Sequence, residues 1–184
     1  MVCYQNAVNC AVVGDGMVGK TCLVKRFAEN QFSNEYLATV SQNSSGAVSA
    51  YGDKYNINIQ EHVEQTARSE AITEADVIVV CYSAVDRESF ENVKSFWIPE
   101  VRKLNKKKPV VLVATQSDIR DENNTEHVSD SEGQNLMKTI NAEFYNKCSA
   151  ATNEGVKNVF ESVVVASIRY RKNKSNVLKR VFGR

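Results

Sequence analysis

Three glycines, a lysine and a threonine fall within the eight residues GDGMVGKT, Gly14 to Thr21. The stretch follows an apolar run and precedes a helical one, which is the context a phosphate-binding loop requires. Glycines let backbone N–H groups turn inward around phosphate oxygens, and the following helix presents its positive end to the same charge. Lys20 would neutralise β- and γ-phosphates, while the Thr21 hydroxyl would serve the Mg2+ that bridges them. Gly14, Asp15, Gly16, Met17, Val18, Gly19, Lys20, Thr21 and Cys22 therefore form a candidate phosphate site. A chance glycine turn would not carry the full spacing together with both flanking elements.

A second group of residues could read a base. The run TQSD, Thr115 to Asp118, directly follows an apolar strand. A carboxylate at Asp118 can accept both the N1–H and the exocyclic amine of guanine, a pair that adenine does not offer. Farther along, CSAA (Cys148–Ala151) follows the last expected strand, where the Ala150 N–H could meet the guanine carbonyl. Gln116 and Ser149 belong to these two runs and are counted with the base site. Alone, TQSD is a polar turn after a strand; a phosphate loop, TQSD and CSA in this order favour guanine. An ATP-using kinase would leave TQSD unexplained.

These residues need a scaffold, and the chain of 184 residues is long enough for one domain with a proper core. The runs Ala7–Val13, Val77–Ser83 and Val110–Thr115 are short and β-branched, as strands buried on both faces are. Tyr55–Ile59 alternates like a further strand, and Phe144–Cys148 reads as a last one. Lys20–Asn30, Arg87–Leu104 and Glu154–Tyr170 carry helical spacing. Strands alternating with helices predict an α/β doubly wound sheet. Asp121–Gly133 is polar and reads as an exposed loop, and Lys103–Lys108 as the cationic end of a helix.

Composition removes several classes of function. A net charge of +1 gives no reason to expect nucleic acid, and no apolar run approaches a membrane span. The N-terminus MVCYQNAVNC lacks a signal-peptide pattern, and the five cysteines are scattered and odd in number. They read as reduced thiols of a cytosolic protein. His62 and His127 lie far apart, so no histidine metal site is expected.

The segments GDGMVGKTCL, EYLATV, SFENVKSFWIPEV, TQSDIRDE and CSAATNEGVKNVF resemble the Rho/Rac branch of the Ras superfamily of small GTPases. The resemblance covers residues 7 to about 166. It implies a P-loop NTPase fold of the small G-protein kind, with a six-stranded, mostly parallel sheet flanked by helices. It also implies a monomeric GTPase domain over residues 1–168, GTP or GDP bound with Mg2+, and a signalling switch read by effector and regulatory proteins. By the same resemblance Phe32 packs against the base, Tyr36 lies over the phosphates, and Thr39 contacts both Mg2+ and the γ-phosphate. Simple loop packing remains the alternative for Phe32 and Tyr36.

Departures from the family pattern fall mainly in one place. Its Asp-x-x-Gly-Gln aligns with Glu61-His62-Val63-Glu64-Gln65 in the stretch INIQEHVEQ. Glu61 keeps a charge for the metal but is one methylene longer, which can misplace a water. Glu64 loses the glycine's backbone freedom and brings a like charge towards the phosphate. Gln65 falls where the water-orienting glutamine belongs, or is a coincidence in a polar loop. Thr21, Thr39 and Glu61 are thus the candidate metal residues, and Lys20, Thr39 and Gln65 the candidate catalytic ones. Ser41 stands where the branch has an aromatic on the effector face, and the stretch from Asp118 to Ser149 is short enough to truncate the branch's extra helix.

The tail, residues 169–184, is basic and has no acid. It reads either as a weakly membrane-bound surface helix or as a solvated disordered segment. It carries no Cys-aliphatic-aliphatic-X box, so this form is expected not to be prenylated. Two functions stay open: a slow or atypical GTPase switch, and a hydrolysis-deficient, nucleotide-bound scaffold. An empty, degenerate site is a remote third.

Overall fold

The strands β4 (Val77–Ser83) and β5 (Val110–Thr115) are buried along their whole length, as β-branched runs are when helices cover both faces of a sheet. In the computed structural model, which describes residues 6–33 and 41–182 with side chains through residue 175, they lie inside a six-stranded sheet. Its order is β2-β3-β1-β4-β5-β6. The other strands are β1 (Ala7–Val13), β2 (Ser41–Ala50), β3 (Asp53–His62) and β6 (Phe144–Lys147), with β2 and β6 at the edges. β2 pairs antiparallel with β3, and the other pairings are parallel. This is the doubly wound sheet that the strand and helix pattern predicts.

The sheet's two faces carry separate cores, because neighbouring residues on a strand point to opposite sides. On β1, Cys10 and Val12 pack with Leu23 and Val24 of α1 (Lys20–Glu29) and Phe160 and Val163 of α6 (Val156–Phe182). Ala11 and Val13 pack instead with Ile72 of α2 (Gln65–Glu74) and Trp97. α6 runs unbroken past residue 168, and Arg171 anchors it by pairing with Asp76 at 2.8 Å and donating to the Ala7 carbonyl at 2.7 Å. No helix among the described residues is long and apolar enough to cross a membrane.

The helical stretch expected over Arg87–Leu104 contains a π-turn. α3 (Arg87–Asn92) passes through Val93–Trp97 into α4 (Ile98–Leu104), and the Ile98 N–H reaches back five residues to the Val93 carbonyl. The cause is local: Pro99 has no N–H to continue the regular ladder, so the turn before it widens.

Three expectations need correction. The polar stretch Asp121–Gly133 is not loop throughout, because α5 (Asp130–Thr139) begins inside it. Ser129 and Glu132 close a capping box there, a helix start that polar composition alone conceals. Residues 120–129 are left as turns and irregular chain, with no helix between Ile119 and Asp130. β2 was not foreseen, since SQNSSGAVSA has no apolar alternation; it forms by pairing residue for residue with β3 across a turn at Tyr51 and Gly52, both with positive φ. Finally, the expected strand Tyr55–Ile59 extends to His62, which carries Glu61 to the end of the sheet.

Glu132 also takes a 2.5 Å hydrogen bond from Arg87, whose guanidinium reaches the Thr125 and His127 carbonyls as well. The Arg87 contact, with the Ser129 bonds, holds the Glu132 carboxyl down to about 2. A depressed carboxyl pKa contributes stability above its unfolded value of ~4.3, and that contribution is lost as pH falls towards about 2. Glu132→Ala should therefore cost about 1 kcal/mol at pH 7, and much less at about pH 2, when both proteins are compared by urea denaturation.

Candidate functional site

The C-terminal ends of β1, β3, β4, β5 and β6 open on one edge of the sheet, and strand order reverses about β1. Ligands of open α/β sheets bind at such a switch point. Here it is formed by the turn from Gly14 to Gly19. Gly14 has φ +142, and a Cβ there would lie 2.2 Å from the Cys81 carbonyl oxygen, so no other residue fits. Gly19 caps α1 in the left-handed conformation, which sends Lys20 and Thr21 into the first helical turn facing the cavity.

The other loop residues hold the turn from behind. The Asp15 carboxylate points away from the cavity and accepts from Trp97 Nε1 at 2.6 Å and from Asn92 Nδ2 at 2.7 Å. The π-turn thereby ties the loop to α3. The Thr115 hydroxyl sits between the Val18 and Tyr82 carbonyls. A negative charge that would oppose phosphate is thus directed to the far side.

The cavity has a volume of about 470 Å3. Gly16, Met17, Gly19, Lys20, Thr21 and Cys22 form its phosphate end, with Glu61 beside them. Phe32, Gln116, Asp118 and Ala150 line the other end. The two groups of residues that motif reasoning assigned to phosphate and to base therefore share one cleft. Gly14, Asp15, Val18 and Ser149 are not among the lining residues. Gln65 is exposed at the first position of α2 and does not line the cavity. Tyr36 and Thr39 lie outside the described residues. Lys25, Gln31 and Ser33 line the cavity without belonging to any motif that would have marked them.

The base end is built by one cross-strand link and two turns. Ser117 N–H donates to the Cys148 carbonyl at 3.2 Å, joining the TQSD turn to the CSAA loop. Ser149 is fully buried; its N–H meets the Glu154 carbonyl at 2.9 Å and its hydroxyl accepts from Thr152 N–H at 3.1 Å. Gln116 takes a left-handed conformation, with its amide oxygen accepting from the Ser83 hydroxyl. Burial, with Asp118 nearby, pushes the Cys148 thiol up to about 12, so it is an inert part of this wall.

The residues present fit a magnesium nucleotide. Lys20 Nζ donates to the Asp15 carbonyl at 2.6 Å, keeping an ammonium at the helix N-terminus where phosphate binds. Thr21 Oγ1 donates to Glu61, 2.8 and 2.9 Å from its two oxygens, so hydroxyl and carboxylate stand together as hard oxygen ligands of the kind Mg2+ takes. Glu61 is 2% exposed. Burial raises its pKa, against the opposing pull of the Thr21 hydroxyl and of Lys20 and Lys25.

Glu64 behaves differently from the like charge expected near phosphate. It is the N-cap of α2, and its carboxylate accepts from Thr66 N–H at 2.9 Å and Ala67 N–H at 2.8 Å. These backbone bonds lower its pKa. The side chain is thus spent on the helix start and turned to solvent.

The loop geometry separates two neighbouring glycines. Gly14→Ala should destabilise the fold by about 3 kcal/mol or more, because backbone meets backbone. Gly16→Ala should stay within about 0.5 kcal/mol, since a Cβ there meets nothing within 4 Å. Thermal unfolding of both variants checks the contrast.

The fold, the loop at its switch point and the guanine-type base end agree with the comparison to known families. The Ras family model matches residues 9–169, and Ras-family proteins bind guanine nucleotides, generally with Mg2+. The chain belongs to the Ras family of small GTP-binding proteins.

Proposed function

We propose that this protein is a Rho/Rac-type member of the family that binds GTP and GDP with Mg2+ and hydrolyses GTP slowly. The branch assignment draws on SFENVKSFWIPEV, whose Trp97 holds Asp15 of the phosphate loop. The slow turnover rests on one observation: Glu64 caps α2, leaving Gln65 as an exposed helical residue away from the cavity. A glutamine locked there does not orient a water at the phosphate end.

In this reading Lys20 and the α1 N-terminus hold the β- and γ-phosphates. Thr21 and Glu61 hold the metal, which when bound offsets negative charge on the phosphate oxygens. Thr39 would complete that end. Asp118 pairs with the guanine edge, and Ala150 N–H meets its carbonyl. Effectors and regulators would read the segment after Phe32 and the start of β2 at Ser41, in cytoskeletal or membrane-traffic signalling.

The same capping observation also favours a second reading, a nucleotide-bound scaffold recruiting partners in one fixed state. Co-purified nucleotide followed by single-turnover hydrolysis separates them. Slow conversion of bound GTP to GDP supports the switch, GTP kept intact supports the scaffold, and failure to bind guanine nucleotide removes both. Glu64→Gly, which frees the backbone at that position, should raise the single-turnover rate and the hydrogen exchange of residues 63–67; an unchanged rate would show that Glu64 does not restrain the reaction.

We further propose a cytoplasmic monomer held weakly at the plasma membrane or endomembranes through its basic end. Arg171 is committed to Asp76 and the Ala7 carbonyl, while Lys172 and Lys174 are exposed at the start of a basic run that suits an anionic lipid surface. Deleting residues 175–184 should reduce cosedimentation with phosphatidylserine vesicles, with no change for neutral ones.

A further inference from the structure

Arg26 stands in the last turn of α1, outside every motif in the chain, yet its guanidinium makes contacts on three sides. Nε donates to the Ala150 carbonyl at 2.6 Å, and Nη2 to the Ala151 carbonyl at 3.1 Å. Nη1 donates to the carbonyl of Asn30 at 3.3 Å, where α1 ends in a left-handed cap. The guanidinium carbon also sits 5.6 Å from the centre of the Phe32 ring. Phe32, Ala150 and Ala151 all line the base end of the cavity, opposite the residues that serve phosphate.

We infer that Arg26 is the positioning residue of the guanine site, clamping the Ala150–Ala151 turn and Phe32 to the end of α1. The inference rests on the guanine reading above and names the residue that gives that site its shape. Three properties of the side chain suit it to the role. A planar guanidinium meets two successive carbonyls with donors fixed in a fork, whereas a lysine presents a compact point charge with rotatable donors. Hydrogen bonds from a charged donor are about twice as strong as neutral ones. The third donor meets a carbonyl at the helix C-terminus, a position that favours cations and whose carbonyls lack helical partners.

The Ala150 N–H and the Ala150 carbonyl flank one Cα and are joined only through its φ and ψ. With the Ala150 and Ala151 carbonyls both held by Arg26, those dihedrals have less room to vary, which narrows where the N–H points. Within the turn Thr152 N–H donates to the Ser149 hydroxyl, and Arg26 holds the same turn from α1. Phe32 is 37% exposed and has little packing of its own; the cation against its ring limits where it can swing. Arg26 touches no base itself. It acts on what the base would touch.

The test uses the whole chain loaded with fluorescent GDP or with the matching 2,6-diaminopurine nucleotide, which carries an amine in place of the 6-carbonyl. Arg26→Ala should release GDP roughly tenfold faster, the loss expected when charged hydrogen bonds are removed. It should also narrow the preference for GDP over the diaminopurine nucleotide, since only GDP uses the Ala150 N–H. Arg26→Lys keeps the charge and the stem but loses the fork, and should fall between the two; it also provides the reading if the alanine variant does not fold. Faster release of both nucleotides by the same factor would mark general loosening and overturn the positioning role, as would wild-type release rates in both variants. Wild-type protein that takes up no guanine nucleotide would overturn the guanine reading itself. That outcome is distinct from binding that ignores Arg26.

Discussion

The turn between β1 and α1 works only if its backbone can fold back against β4. At Gly14 the chain passes so near the Cys81 carbonyl that a single methyl group could not be accommodated. That close approach lets Gly19 start α1 with its N-terminus towards the cavity. The rest of the site is assembled around it: Asp15 is drawn behind the loop by Trp97 and Asn92, Val18 is met by Thr115, and Lys20 and Thr21 are left facing inward. The Asp15 carboxylate is held by those two donors, Trp97 and Asn92, and is not among the cavity-lining groups.

The two ends of the cavity are held by different means. The phosphate end rests on a helix terminus and the sheet edge, which are rigid and set by local chain geometry. The base end rests on turns after β5 and β6, joined by the bond from Ser117 to Cys148 and bonded to α1 through Arg26. Turns offer less packing than helices and strands, so long-range hydrogen bonds carry more of the positioning there. A family member can thus keep its phosphate chemistry while tuning how firmly it grips the base.

The segment after β3 shows how a substitution can change its role with its surroundings. Read as a string, Glu64 is a charge in the wrong place. In the fold it is a helix cap, and two backbone N–H groups absorb the carboxylate. Glu61 keeps its place because β3 continues to His62 and delivers the side chain to Thr21. The extra methylene is taken up by direct contact with the hydroxyl. Both glutamates thus find hydrogen-bond partners within the chain.

The phosphate loop, the guanine-type turn and the central strands were legible from residue type and order, because each depends on contacts within a few residues or on unbroken apolar runs. Ala7–Val13, Val77–Ser83 and Val110–Thr115 appear as strands at the expected bounds for that reason. β2 was not legible, since SQNSSGAVSA owes its conformation to β3 and to the turn at Tyr51 and Gly52. Nor was the start of α5, where a capping box was hidden in polar sequence, or the π-turn that Pro99 imposes. By itself the sequence determined which chemical groups are available and the fold that orders them. Tertiary structure alone decided that Asp15 turns away, that Glu64 caps a helix and that Arg26 grips Ala150, because each depends on a partner that only folding brings within hydrogen-bond reach.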